Sequence, residues 1–432
     1  MSTHRLTSRS PTIFPSAVLL LCAAAAGCQG EPAEIEEDTG EAELAAETPA
    51  QARAKEAKRL FEQETFGGNG RTCATCHSNG TGTISPEDVQ ARFAEDPNDP
   101  LFLHDGSDDF QGNGVTRILA DATILVAVNL PPNLRLANDP TATSVVLRRG
   151  VPSTKDTPAL DPVLMYDGRA PNLLDQANDA IHGHAQATIA PTADQLQMIA
   201  EHEKTEKFFT SSALRYHAIG AGPPPGLPAG VSPAQKRGRT WFEDVAVPIA
   251  INPNTPRNGL CRTCHTGVLL NQTNGKGWLP KAPFPTPPET TSCNQPATEA
   301  TQVPAGRRFD SVLVAELNIG NHPTYNFLLK LPNGAQVPLP PIADPGRALI
   351  TGRFDRFPAL DGDLFKFKIP SLRGVKKSAP YFHDNSAKTL EAVVDHYATF
   401  FALATDCNID GDPPLLLTDQ DKADLLAFLK LL

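Results

Sequence analysis

Cys73-Ala74-Thr75-Cys76-His77, entered through Phe66-Gly67-Gly68-Asn69-Gly70-Arg71-Thr72, recurs in plan 188 residues later as Cys261-Arg262-Thr263-Cys264-His265. Two thiols three positions apart on one helical turn can form thioethers with both vinyl groups of a haem, and the next residue, histidine, then lies under the iron. A chain with this composition would contain about 0.004 such matches by chance, so two are a strong signal. A thioredoxin-type dithiol or half of a zinc site would also place cysteines three apart. Neither needs the following histidine, and no further close pair of cysteines completes a zinc site. The expected cofactors are two covalently bound haem c groups, attached at Cys73 and Cys76 with His77 as ligand, and at Cys261 and Cys264 with His265 as ligand.

Working outward, 432 residues with 41 prolines and 31 glycines imply two or three domains with many loops. Residues 1–27 read as a leader: Arg5 and Arg9, an apolar run over residues 17–26, then Gly27-Cys28. Small residues directly before Cys28 resemble the bacterial lipobox, which implies acylation of Cys28 and a periplasmic, lipid-anchored protein; a cleaved soluble leader is the alternative. The apolar run is short of the roughly 20 residues a spanning helix requires. Residues 28–51 carry eight acidic residues between Glu31 and Glu47 and read as a solvated tether. A formal charge of −11 argues against nucleic-acid binding and is compatible with a basic redox partner. Cys293 and Cys407 remain, as a disulfide or as two unrelated thiols.

Residues 52–66 put Ala57, Leu60 and Phe61 on one helical face leading into the first motif. Val115 to Leu147 contains short β-branched runs, among them Ile118-Leu119-Ala120, and reads as a small strand-containing insertion. Asn172 to Ala180 and Thr192 to Thr210 read as helices, the second opening with a Thr192…Gln195 capping box. The Pro/Gly run within residues 222–231 reads as a linker between an N-terminal cytochrome c-like domain, 52–221, and a C-terminal one, 232–432. The second begins with a helix over Ser232 to Val245 and an Asn258-Gly259 turn, and ends with an amphipathic helix over Thr418 to Leu432. The fold class is mainly α: two cytochrome c-like haem domains with a small strand-containing insertion.

Three further stretches carry a resemblance. Tyr166-Asp167-Gly168-Arg169-Ala170, with Gln176 beyond it, resembles the W-D-G-R-A…Q segment of the bacterial dihaem cytochrome c peroxidase and MauG family. Phe367-Lys368-Ile369-Pro370-Ser371-Leu372-Arg373 with Ala379-Pro380-Tyr381-Phe382-His383-Asp384 resembles its F-K-x-P-x-L-R…A-P-Y-x-H-D signature. Thr389-Leu390-Glu391-Ala392-Val393-Val394 resembles the helix that follows. The resemblance implies that the N-terminal haem reacts with hydrogen peroxide and the C-terminal haem stores or relays electrons. They would come from a small redox donor protein, a cytochrome c or cupredoxin, or from a protein or small-molecule substrate.

The same resemblance places an axial ligand of the second haem at Tyr397, fourteen residues past His383. Peroxidases of the family have methionine there and MauG-type members tyrosine; His396 is the neighbouring alternative. No methionine follows Met198, so only Met165 or Met198, crossing over, could serve the second haem. Gln176 matches the family's distal glutamine. Gln186 stands where the family has a glutamate, and an amide cannot exchange a proton near neutral pH. His184, or His182, is the substitute acid–base group expected from the residues nearby. Tyr166 stands where the family has a tryptophan between the haems, and His104 is a candidate resting ligand of the first. Some members hold calcium through backbone carbonyls, which here maps to Ser378 and Pro380 with Asp156 as a third candidate. The leading expectation is a haem peroxidase or MauG-like oxidoreductase. A pure electron-transfer dihaem cytochrome is the alternative, and an oxygen-activating polyisoprenoid-cleaving dioxygenase a third.

Overall fold

The computed structural model describes residues 47–432 apart from 79, 157–159, 162, 208, 244–260, 272–307, 355–361 and 404–415. The leader, the Cys28 acylation site, most of the tether, the Asn258-Gly259 turn, Trp278, Cys293 and Cys407 lie outside the described residues, as does the Pro-rich run over 279–291.

The helices are α1 Pro49–Glu62, α2 Cys73–Cys76, α3 Pro86–Glu95, α4 Thr116–Asp121, α5 Leu173–Gly183, α6 Ala193–Thr205, α7 Ser212–Ala218, α8 Pro233–Phe242, α9 Cys261–Cys264, α10 Ala348–Thr351, α11 Leu390–Leu403 and α12 Asp419–Leu429. The strands are β1 Ile124–Asn129, β2 Leu134–Leu136, β3 Ser144–Arg149, β4 Phe309–Asp310, β5 Phe327–Lys330, β6 Gln336–Pro338 and β7 Phe367–Lys368. The described residues are thus mainly helical, as expected. Helix α1 starts inside the stretch read as tether, because Thr48 and Gln51 cap its first turn reciprocally. It buries Ala57, Leu60 and Phe61 as the periodicity predicts. Thr192 and Gln195 form the expected box at α6.

The helices gather into two apolar groups. α1, α5 and α6 enclose Leu60, Phe61, Ile181 and Ile199, while α8, α11 and α12 enclose Trp241, Phe242, Val394 and Phe428. A larger core unites residues far apart in sequence, from Ile84, Ile118 and Leu147 to Phe327, Leu349 and Phe365. Strands build much of it. β1 pairs antiparallel with β3, Ile124 opposite Arg149. β2 pairs with β5, and β5 with β6, so the expected insertion is stitched to chain nearly 200 residues later. β4 pairs with β7, Phe309 opposite Lys368.

One part of that insertion is not strand. Ile118-Leu119-Ala120 lies within α4, whose first turn is capped from outside by the Asp108 carboxylate, which accepts from Thr116 N–H at 2.8 Å and Arg117 N–H at 2.9 Å. Capping of this kind is invisible to a local reading of β-branched residues.

Arg149, at the end of β3, is 1% exposed. Its guanidinium donates to Asp344 at 2.7 and 2.9 Å and to Asp167 at 2.5 Å, tying β3 to two distant segments. Arg149→Met leaves two buried carboxylates without their cation, and should lower stability by about 3–5 kcal/mol. Denaturant unfolding followed by circular dichroism checks this; a loss under about 1 kcal/mol would remove the buried ion cluster from the account of the fold.

Candidate functional site

Cys73 and Cys76 occupy a single helical turn, and the His77 N–H closes it onto the Cys73 carbonyl at 3.1 Å. The His77 Nδ1 lies 2.9 Å from the Gly82 carbonyl. A carbonyl only accepts, so Nδ1 carries the proton and Nε2 is left as the free, ligating nitrogen. The second motif repeats this: His265 N–H donates to the Cys261 carbonyl at 2.9 Å, and its Nδ1–H to the Leu270 carbonyl at 2.8 Å. Each histidine is thus oriented by the carbonyl five residues on. Burial lowers the proton affinity of both, His265 to about 4, so both imidazoles are neutral donors at neutral pH.

The first motif opens onto a cavity. Cys73, Cys76 and His77 line one part of it, and Gln176 and His184 of α5 another, together with Tyr166. Phe61, Ile124, Val126, Leu164, Leu173 and Ile181 supply apolar wall, and Arg149, Arg169 and Lys368 supply cations. Paired thiols, a free imidazole Nε2 and apolar walls fit a haem, while the cations are already paired with Asp344, Asp167 and Asp161. Burial pushes the Cys73 and Cys76 thiols up to about 12 and about 11, whereas a redox-active dithiol needs a lowered value. Among the described residues no group of three or more His, Cys, Asp or Glu side chains is arranged to hold a metal ion, which leaves a zinc site without its ligands there.

His184 is fixed by Asp105. Its Nδ1 lies 2.5 Å from Asp105 Oδ2, and the buried carboxylate is also paired to Arg71. Arg71 reaches on to the carbonyls of Pro100 and Leu101, at 2.8 and 2.9 Å. Burial alone would raise the Asp105 carboxyl. The His184 hydrogen bond and the Arg71 charge outweigh it and hold the carboxyl below its ordinary range. The Gly-Gly-Asn-Gly stretch joins this pair to the Cys73–His77 turn: Asn69 N–H donates to the Ala185 carbonyl at 2.8 Å, and a Cβ on Gly68 would sit 2.0 Å from that oxygen.

Gln186 is a correction. Its backbone has a φ of 52°, its side chain is exposed, and its amide oxygen accepts from Asn69 at 3.1 Å. It does not line the cavity. The chain leaves α5 at Gly183, and Gln186 lies in the turn beyond it. His182 is exposed and its Nδ1 donates to the Asn178 carbonyl at 2.8 Å. His104 packs edge-on to Phe110 at 4.3 Å and is not among the residues that line the cavity. Tyr166 stands edge-on to His383 at 6.5 Å, and His383 stacks on Phe367 at 3.7 Å.

At the second motif, Cys264, Cys261 and Asp310 neighbour Tyr397, whose phenol burial pushes well above its ordinary value. The structure therefore brings Tyr397 to Cys261–His265. His396 Nε2 instead donates to the Val312 carbonyl at 2.7 Å, which occupies the nitrogen a ligand would need. Met198 is buried in the N-terminal helical core and Met165 lines the first cavity, so neither crosses to the second motif. The Asp156 carboxylate accepts from the Ser211 N–H and the Ser378 hydroxyl donates to the Val375 carbonyl at 3.2 Å.

Comparison with known proteins gives partial matches. No protein-family model matches the chain. The methylamine utilization protein MauG of Methylorubrum extorquens is 33% identical over 87 residues, 20% of this chain and 24% of that protein. Cytochrome-c peroxidase IdrP1 of Denitromonas iodatirespirans is 41% identical over 70 residues, 16% of this chain and 18% of that protein. The chain is a relative of the bacterial dihaem cytochrome c peroxidase and MauG family. The matches span about a quarter or less of these dihaem relatives' own length. Among solved structures, a MauG-like protein associated with microbial copper homeostasis is 18% identical, with 89% of this chain and 90% of that one covered at a TM-score of 0.44. That superposition is too loose to carry an argument about the family's chemistry.

Sequence reading missed Asp105, Arg71 and Arg149. For Asp105 a cue existed: His104-Asp105-Gly106-Ser107 is echoed by His383-Asp384-Asn385-Ser386, and in both the aspartate is buried beside a distant histidine, His184 and His322. A carboxyl held below its ordinary value stabilises the fold above about pH 4, and that contribution is lost as pH falls through its folded value. Asp105→Asn should therefore lower stability at pH 7 by roughly 1–3 kcal/mol and give a shallower loss on acidification. Paired acid titrations of the two proteins, monitored by fluorescence, check it: parallel curves would contradict an ionised Asp105.

Proposed function

We propose that the protein is a dihaem c-type oxidoreductase of the cytochrome c peroxidase and MauG type, reducing hydrogen peroxide at the Cys73–His77 site with electrons relayed through the Cys261–His265 site. The observation that carries this reading is the His184–Asp105 pair on the same cavity as the haem-attachment turn. Cys73 and Cys76 would hold the first haem by thioethers and His77 by its Nε2; Cys261, Cys264 and His265 would hold the second, with Tyr397 as its further ligand. The bound haem supplies the redox chemistry, the two-electron reduction of the O–O bond.

The remaining work belongs to the chain. His184, held through Nδ1–H by Asp105, has Nε2 to take a proton from peroxide and return it to the departing oxygen. The ionised Asp105 stabilises the imidazolium formed in between, and Arg71 keeps Asp105 ionised. The Gln176 amide supplies a hydrogen bond for bound oxygen. Two electrons and two protons convert one peroxide to two waters, and a small redox protein of the cytochrome c or cupredoxin kind is the donor. The leader-like N-terminus fits a periplasmic setting, and among the described residues no helix is long and apolar enough to cross a membrane.

One observation favours a second reading, a non-catalytic electron-transfer dihaem cytochrome: Met165 lines the first cavity, where a thioether would close the iron's free position. Electron paramagnetic resonance of the ferric holoprotein separates the two, since a peroxide-reactive haem keeps a high-spin signal and a Met-ligated one is low-spin. His184→Ala should lower peroxide turnover by about 10²–10⁴-fold at unchanged haem content, while Gln186→Ala stays within a few-fold of wild type. Equal turnover in the His184 variant would remove the imidazole from the chemistry.

A further inference from the structure

Glu203 occupies a core position on α6, one turn beyond Ile199, and is only 5% exposed. Glu203 lines the cavity of the first motif, and its carboxyl makes no hydrogen bond or ion pair to any described residue. An apolar residue would serve packing there; a lone carboxyl does not, because burying an unpaired charge is costly. The charged groups around it are committed elsewhere. On α6, Lys204 exerts the only charge that favours ionisation, and the His202 ring packs against Phe61 and Phe209, each at 5.4 Å. On α1, Lys58 pairs with Glu62 at 2.7 Å, and beyond the helix Glu64 pairs with Arg59 at 2.8 Å. On α5, the cavity-facing groups are Gln176 and, at its C-cap, His184, which Asp105 holds. On α2, the Cys73 thiol feels the Glu203 charge. His77 does not figure among the groups that do.

We propose that Glu203 is a redox-linked proton site: its carboxyl takes up a proton when the haem at Cys73–His77 is reduced and releases it on oxidation, making that haem's potential depend on pH. The inference rests on the haem part of the proposed function and not on peroxide chemistry. One electron from the donor adds one negative charge to the site. Like-charge repulsion in a poorly solvated pocket raises the carboxyl's proton affinity, and a proton arriving from water cancels the added charge. By reciprocity, the protonated carboxyl makes reduction easier. Burial already pushes Glu203 up to about 8, so reduction draws in a proton, and the midpoint falls with pH, above about pH 8, where the carboxyl is ionised while the haem is oxidised. The site then delivers a proton each time the haem is oxidised, inside the cavity where protons are consumed.

The test is a spectroelectrochemical titration of the first haem in wild type, Glu203→Gln and His184→Gln between about pH 6 and 9, paired with redox-difference infrared spectra. The wild-type midpoint should fall with rising pH, by up to about 59 mV for each tenfold shift in proton affinity. The slope should be flat in Glu203→Gln and retained in His184→Gln. A protonated carboxyl C=O band should appear on reduction in wild type and be missing from Glu203→Gln. Glu203→Leu, which fills the position with an apolar side chain, should flatten the slope equally if the Gln variant fails to incorporate haem. An equal slope in wild type and both Glu203 variants, or a surviving carboxyl band, overturns the proposal. No haem redox signal in any protein would instead overturn the haem reading itself.

Discussion

The buried fork of Arg149 is the constraint on which the arrangement of the rest depends. Three ionised groups withdrawn from water are tolerable only with near-ideal geometry, and a guanidinium supplies it: one edge for Asp344, the other nitrogen for Asp167. The strong fields of the two carboxylates more than offset burial and raise the Arg149 proton affinity further. Arg149 ends β3, Asp167 follows Tyr166, and Asp344 precedes α10, so one side chain fixes three segments separated by up to 195 residues. Tyr166 is held at the cavity wall by this, and Lys368 N–H adds a 2.6 Å bond to its carbonyl. The strands that carry Arg149 are therefore part of how the first site is built.

Repetition explains why the two Cys-x-x-Cys-His turns look alike and their surroundings do not. A Cys-x-x-Cys-His turn defines its own local geometry: the helix closes on the first cysteine, and the histidine's Nδ1 finds the carbonyl five residues on, Gly82 or Leu270. Nothing outside a dozen residues is needed. The far side of each site is made by distant chain, and there the copies diverge. The first receives α5, with Gln176 and His184; the second receives α11, with Tyr397. The His-Asp-x-Ser echo follows the same rule. Asp105 and Asp384 are equally buried, yet one serves an imidazole on the haem cavity and the other His322, 3.5 Å away in a separate polar cavity.

That division also accounts for what was legible in the chain. The attachment turns, α1 with its Ala57, Leu60 and Phe61 face, and the Thr192 cap of α6 were readable because each is specified by neighbours in sequence. α4 was not, since its cap comes from Asp108, outside the run. Gln186 was assigned from the resemblance alone, which fixes a position in the chain but not where a side chain beyond the end of α5 at Gly183 points. Arg149 and Asp105 were missed for a different reason. An arginine in a β-branched run and an aspartate in a loop read as surface residues until the partners that neutralise them are known.

The exchange of a distal carboxylate for an imidazole alters the electrostatics of the site as well as its proton acceptor. A lone distal glutamate would add one negative charge to the cavity whenever it is ready to act as a base. Here the negative charge sits on Asp105, one hydrogen bond behind the cavity wall and paired with Arg71, and the group facing the cavity is an imidazole. His184 gains a charge only while it holds a proton, and Asp105 is placed to compensate that charge at 2.5 Å. A buried carboxyl elsewhere on the same wall, Glu203, can then vary its own charge without a like-charged neighbour on the distal helix opposing it. The Asp105–His184 pair keeps the carboxylate one hydrogen bond behind the imidazole that lines the cavity.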